Sequence, residues 1–196
     1  MASWEEWAGL DAAAWRKCLA ATDEPPSGPE SFGKRRIGAV AAAFLLTPAA
    51  GPAVLFTKRA SHLDEHPSQI SFPGGAVEPG DDDFWTAALR EAGEEVGLAG
   101  AELEFLGRRP PQPVLDHWLI YPHLAWWAVP RPLQPDPAEV AEILIVPLAD
   151  LARQHKPGSW RVPDPDLASR YLVVGDILWG ATARIIARLL DCLLAV

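Results

Sequence analysis

The chain has few of the residues that staple small secreted proteins together. Its 196 residues include two cysteines, Cys18 and Cys192. Each is set inside an apolar helical pattern, so no disulfide framework is available and both read as reduced thiols. No apolar run reaches about 18 residues, so no transmembrane helix is expected. The acidic start MASWEEWAGL lacks a signal-peptide layout, and a cytoplasmic protein is expected. Cations are also scarce, with 17 Lys and Arg against 26 Asp and Glu and a net charge of −9. Such a surface repels nucleic-acid phosphates, so no nucleic-acid partner is expected. A polyanionic ligand needs a metal ion or a local basic patch. Repeats and low-complexity tracts are missing, and the five histidines (62, 66, 117, 123, 155) lack zinc-ligand spacing.

What is present is enough apolar material for one core. Hydrophobic residues make up 49% of the chain, and 20 prolines interleaved with apolar runs imply rigid loops. Trp4, Trp7, Leu10, Ala14 and Cys18 recur at helical spacing and predict an amphipathic helix over 4–21. The following TDEPPSGPESFG reads as a linker, so residues 1–34 form one unit and 35–196 the main domain. IGAVAAAFLL and AVLFTKR, separated by TPAAGP, predict a hairpin. The short ISF, then LEFLGRR, LIYPHLAWWAV, AEILIVPL and RYLVVG read as strands. LADLARQ reads as a short helix and ILWGATARIIARLLDCLLAV as a long one. Strands mixed with a few helices, without regular alternation, predict an α+β fold with a mixed sheet. The Trp126-Trp127 pair and His117-Trp118 read as core or interface, with a ligand platform as the alternative.

One stretch carries unusual charge. In FPGGAVEPGDDDFWTAALREAGEEVGL (72–98) a Gly-Gly turn leads into a helix over 83–96. Asp81, Asp82 and Asp83 are placed as N-cap and first-turn acids, and Gly97 ends the helix. On a helical wheel Trp85, Ala88, Leu89, Ala92 and Val96 share the face that packs on the sheet. Glu91, Glu94 and Glu95 crowd a neighbouring face, where like charges three and four apart repel by a few tenths of a kcal/mol per pair. A solvated face is one reading of the three glutamates. A cradle for a hard cation such as Mg²⁺ or Mn²⁺ is the other, and it also lets an acidic protein hold a diphosphate.

Gly75, Asp82, Arg90-Glu91-Ala92, Glu94-Glu95 and Gly97-Leu98 resemble the Nudix box, G-x5-E-x7-R-E-U-x-E-E-x-G-U with U aliphatic. REAGEEVGL matches every fixed position, whereas the first half carries Asp82 at the acidic position and one extra residue before it. Upstream, LFTKRASHLDEHPSQISFPGG (55–75) resembles the motif that precedes the box in coenzyme A pyrophosphatases. Leu55, Thr57, Arg59, Phe72, Pro73, Gly74 and Gly75 fit, while Asp64 replaces an Arg and Ser68 a Gly. DILWGATARII also looks like a helix of that subgroup.

The resemblance implies a Nudix fold, a mixed β-sheet sandwiched between helices (α/β/α). It implies a metal-dependent diphosphatase that cleaves coenzyme A or acyl-CoA to 3′,5′-ADP and 4′-phosphopantetheine. ADP-ribose, dinucleotides or oxidised NTPs are the alternative substrates, and a non-catalytic nucleotide sensor is a further one. Carried over, Glu91 and Glu95 are Mg²⁺ or Mn²⁺ ligands, and Glu94 is a third ligand or the general base. Arg90 braces the glutamates. Glu139 or Glu142, from outside the box, is the other candidate base. Lys58, Arg59 and Gln69 are expected at the substrate phosphates, with Gly74 and Gly75 allowing close backbone approach. A homodimer is also expected from the Trp-rich segments.

Overall fold

A computed structural model describes Trp15 and residues 36–47, 51–114, 118–161 and 169–194. Apart from Trp15, the expected 4–21 helix lies outside the described residues, as do the linker, Cys18 and His117. Among the described residues ten strands and three α-helices follow in chain order: β1 (Arg36–Thr47), β2 (Gly51–Arg59), β3 (Ile70–Ser71), β4 (Gly74–Ala76), α1 (Phe84–Val96), β5 (Leu103–Arg108), β6 (Gln112–Val114), β7 (Trp118–Trp127), β8 (Val140–Pro147), α2 (Leu148–Gln154), β9 (Tyr171–Val173), β10 (Asp176–Leu178) and α3 (Gly180–Leu194).

Eight strands form one sheet built around β1. Strand β7 runs parallel to β1 along one edge, from Arg36–Trp118 to Phe44–Trp126. The other edge is shared. Strand β2 pairs antiparallel with its second half, Phe44–Val54 to Thr47–Gly51, and β4 with its first half, Gly38–Ala76 to Val40–Gly74. Strands β2 and β4 therefore part company along β1, and the fork opens beneath α1.

The period-two alternation of the strands sorts two cores. Ala39, Ala41, Ala53, Leu55, Ala125 and Trp127 face α1, meeting Ala87, Ala88, Ala92 and Val96. Val40, Val54, Phe56, Leu124, Trp126, Leu144 and Val146 face the other way, towards α2 and α3. At about 0.8 kcal/mol per buried CH₂, the alanines facing α1 stabilise far less than the Ile and Leu side chains of α3. They give proximity in exchange: with methyl groups on both surfaces, α1 sits close against the strands. The arrangement is the expected α/β/α sandwich.

Three expectations are corrected in detail. Trp15 is fully buried, with its ring 6.3 Å from that of Trp126, although the predicted N-terminal stripe passes it by. Ile177 and Leu178, read as the start of the last helix, instead pair with Leu172 and Tyr171 in a hairpin. The helix begins only at Gly180, itself in the left-handed region at φ 67. Of the face assigned to the sheet, Trp85 and Leu89 are only half-buried, and Ala87 and Glu95 are buried in their place.

Candidate active site

Helix α1 is held at both ends by its own sequence. Asp83 Oδ1 accepts the Thr86 N–H at 2.7 Å, and Gly97, at φ 68, turns the chain so that Leu98 N–H reaches Ala92 O at 3.1 Å. Between these caps the glutamates divide. Glu95 is 3% exposed, and its Oε2 accepts the Gly74 N–H at 3.3 Å. Burial pushes its pKa up to about 8, a shift the Glu91 and Glu139 charges reinforce and Arg59 opposes. Glu91 is also raised by burial, against the nearby Arg90 guanidinium. Glu94 points outwards, with 59% of its side chain exposed and its Oε2 on Arg90 Nη1 at 2.9 Å.

Gly75 lies directly under Glu91. A Cβ built there would stand 2.5 Å from the Glu91 carboxylate. The close approach of β4 to α1 thus depends on the missing side chain.

Arg90 spends its whole fork on this corner. Nε and Nη2 donate to the two Asp81 oxygens at 3.1 and 3.2 Å, Nη1 to Glu91 and Glu94, and Nη2 also to Ala76 O at 2.9 Å. Bidentate pairing of this kind fixes orientation as well as charge. The Arg90 hydrogen bonds and the Glu78 N–H hold the Asp81 carboxyl below the usual range.

The box acid is therefore Asp81 and not Asp82, which is exposed. Counting from Gly75, G-x5 lands on Asp81, so the extra residue lies after the acid, in the turn before α1. No acid sits in the first helical turn, since Asp83 is the cap and Asp81 and Asp82 precede it.

The other side of the site comes from loops. Between β7 and β8 the chain crosses the end of α1, where Gln134 N–H reaches Val96 O at 3.2 Å and Asp136 N–H reaches Glu95 O at 2.9 Å. Arg131 Nη2 caps the same turn at Gly97 O, 2.7 Å, while pairing with Glu102. This brings Glu139 close enough for its charge to act on both Glu91 and Glu95. Ala60 N–H on Glu139 O (2.8 Å) and a His62 contact to Ala138 O (3.1 Å) join it to the segment after β2.

At the end of β2 the register with β8 slips between Lys58 and Arg59. Half-buried Arg59 faces the Glu95 side with its Nε unpartnered. Lys58 is turned away to Asp176 Oδ2 at 2.6 Å, and Glu142 is its partner in the ladder with β8. Gln69 contributes main chain, its carbonyl accepting the Arg59 N–H at 2.9 Å. Glu91, Glu95, Glu139, Arg59, Gly74 and Gly75 are thus gathered, with Arg90 behind them, whereas Lys58 and Glu142 lie apart and Glu94 faces solvent.

A divalent cation fits this donor set. Buried Glu95 keeps a single hydrogen bond for its carboxylate, beside Glu91 and the Gly74-Gly75 main chain, all hard oxygen donors. Among the described residues no three acidic, histidine or cysteine side chains close around an ion unaided. The rest of a bound cation's shell would fall to backbone oxygen, water and substrate.

Residues 37–164 match the NUDIX domain. The chain is 33% identical over 141 residues to the uncharacterized Nudix hydrolase NudL of Photorhabdus laumondii, covering 70% of this chain and 75% of that protein. The NudL of Escherichia fergusonii is similar at 33% identity, with 70% and 73% covered. Among solved structures, the M. smegmatis Nudix hydrolase RenU superposes with a TM-score of 0.56 at 18% identity, covering 83% of this chain and 88% of that one. The MutT protein of Methanosarcina mazei gives 0.54 at 18%, with 82% and 96% covered. The chain belongs to the Nudix family, as a hydrolase acting on phosphoanhydride bonds.

Proposed function

We propose that the enzyme hydrolyses the diphosphate of coenzyme A or an acyl-CoA, with Mg²⁺ or Mn²⁺, to 3′,5′-ADP and 4′-phosphopantetheine. The observation that carries a diphosphate substrate is the pair of carboxylates against Gly74-Gly75, Glu95 buried and Glu91 half-buried, with cationic Arg59 facing them. The stretch from Leu55 to Gly75, which resembles the coenzyme A subgroup, is the one that supplies Arg59 and the glycines. Ser68, standing where that subgroup has Gly, lies at φ 59. The difference is therefore one of backbone comfort and leaves the ligand reading intact. Asp64, exposed where the subgroup has Arg, favours the second reading of ADP-ribose, dinucleotides or oxidised NTPs.

Nudix hydrolases use divalent metal ions on nucleoside diphosphate derivatives. A cation held here would neutralise diphosphate oxygens and make water more acidic. Glu91 and Glu95 would hold it as anions, and Arg90 fixes the Glu91 rotamer from behind. Arg59 places a positive charge at the substrate phosphates. Glu139 accepts the proton of the attacking water as its oxygen bonds to phosphorus. The bridging P–O bond then breaks, and its electron pair leaves with the departing phosphate. Glu94 serves this role less well, being exposed and occupied by Arg90. Among the described residues no helix is long and apolar enough to cross a membrane, and a cytoplasmic location accompanies this reading.

The test compares hydrolysis of coenzyme A, ADP-ribose, NADH and dNTPs with Mg²⁺ and with Mn²⁺, beside Glu95→Gln. Coenzyme A should be turned over fastest. Glu95→Gln should lose about 100-fold or more in kcat, at or beyond the cost of losing an outer-shell partner. Its Tm should not fall, because the amide still accepts from Gly74 and cannot ionise in its buried place. Coenzyme A turned over no faster than ADP-ribose rejects the substrate, and a fully active Glu95→Gln rejects the site.

A further inference from the structure

The turn that carries Glu139 is built on a single residue. Asp136-Pro137-Ala138-Glu139 places Asp first and Pro second, the order a β-turn favours. An Asp in that position can bond the N–H two residues on. Here Asp136 Oδ1 accepts the Ala138 N–H at 2.9 Å. The Asp136 carbonyl closes the turn, accepting the Glu139 N–H at 3.0 Å and the Val140 N–H at 2.8 Å. Its own N–H donates to Glu95 O at 2.9 Å.

Asp136 therefore joins a cation ligand to the base. On one side is the last turn of α1, whose Glu95 carboxylate accepts the Gly74 N–H. On the other is Glu139, whose charge acts on both Glu91 and Glu95. Glu139 is exposed, so hydrogen bonds rather than packing have to hold it. Its N–H goes to Asp136 O, and its carbonyl accepts the Ala60 N–H at 2.8 Å. Between these two anchors lies Ala138, whose carbonyl meets His62 and whose N–H goes to the Asp136 side chain.

We propose that Asp136 is the positioning residue of the general base, its carboxylate fixing through Ala138 where Glu139 stands relative to Glu91 and Glu95. The inference rests on the reading of Glu139 as the base and is independent of which diphosphate is cleaved. A base displaced by about 1 Å can cost on the order of 100-fold in rate. The glutamates of α1, Arg59 and Gly74-Gly75 belong to other elements, so substrate binding is spared when this turn loosens.

The experiment measures kcat and KM on coenzyme A and on ADP-ribose, with Mg²⁺, for five full-length proteins. These are the wild type, Asp136→Ala, Asp136→Asn, Glu139→Gln and the double variant Asp136→Ala/Glu139→Gln, each also melted thermally. Asp136 and Ala138 are exposed, so every variant should fold with a Tm within a few degrees of wild type. Asp136→Ala should lose about 10-fold or more in kcat, with KM within about twofold. Asp136→Asn should stay within about threefold, because its amide oxygen still accepts from Ala138. Glu139→Gln should lose about 100-fold, and the double variant no more, since a base already removed cannot be misplaced. Wild-type kcat in Asp136→Ala overturns the inference, as does a loss confined to KM. So does an Asp136→Asn as slow as Asp136→Ala, which would make the charge and not the turn responsible. Losses that multiply in the double variant also overturn it, by giving Asp136 a route other than Glu139. A fully active Glu139→Gln means that the base reading has failed, and the inference falls with it. If only ADP-ribose is cleaved, the coenzyme A reading alone has failed, and the same pattern of losses on ADP-ribose upholds the role of Asp136.

Discussion

At the scale of single residues, the arginine of the box does more than balance charge. Arg90 connects Asp81, Glu91, Glu94 and the Ala76 carbonyl, so the acid before the helix acts on the site only through it. Removing the Asp81 charge leaves two guanidinium nitrogens without their anion and frees Arg90 to drift from Glu91. Asp81→Asn should therefore lower kcat by about 10- to 100-fold, the usual cost of losing an outer-shell partner. Asp82→Asn, at an exposed position, should stay within about twofold of wild type. Equal losses in both variants, read from initial rates at saturating cation, would mean the acid has been assigned to the wrong residue. The sequence contains both aspartates and cannot say which one turns inwards, because the extra residue fits the motif on either side of the acid.

At the scale of elements, the apposition of β4 and α1 separates activity from folding. Gly75→Ala places a methyl group against the flexible end of Glu91, so the carboxylate swings away while the backbone stays. That variant should keep its Tm within a few degrees, in keeping with a cost under about 1 kcal/mol, and lose most of its activity. Gly74→Ala meets main chain instead, the Ala39 carbonyl and Val40 Cα, from a backbone at φ 150. It should unfold at markedly lower temperature in a thermal melt. The long apolar runs of β1, β2, β7 and β8 and the amphipathic α1 and α3 were legible in the sequence, since each carries its own periodicity. Strand β4 was not: Gly74–Ala76 is a strand only because β1 offers it partners, and Gly-Gly by itself reads as a turn. Glu139 was legible only through the family resemblance, as one of two acids in a loop outside the box. What brings it there is largely main-chain hydrogen bonding, which leaves little signature in the side chains.

At the scale of the molecule, stability in acid is limited by a histidine remote from catalysis. His123 on β7 is 1% exposed, packed by Trp85 and Phe105, with Nδ1 on Tyr121 O at 3.0 Å and no hydrogen-bond partner for Nε2. Burial, with the Arg108 charge, holds its pKa down to about 4. The unfolded chain takes up this proton near pH 6.5 and the folded one only near 4. The contribution is therefore complete above about pH 6.5 and is lost as pH falls towards 4. Between pH 7 and 4.5 the loss comes to about 2 kcal/mol. Urea midpoints for wild type and His123→Gln should converge by that amount over the interval, and parallel curves would show that the group does not set the acid limit.

The loop that lies across the end of α1 reads Pro130-Arg131-Pro132-Leu133-Gln134-Pro135-Asp136-Pro137. Four of these eight residues have no N–H to give, and the two N–H groups that cap α1 belong to Gln134 and Asp136, each beside a proline. The unfolded loop is already short of conformations, so little entropy remains to be lost when Glu139 is brought to the carboxylates. Because the attachment at 134 is made by main chain, the exposed Gln134 side chain can drift over evolutionary time without moving Glu139, whereas Leu133 packs on the core and the Asp136 carboxylate holds the Ala138 N–H. A proline arriving at 134 or 136 is the change this lineage cannot accept.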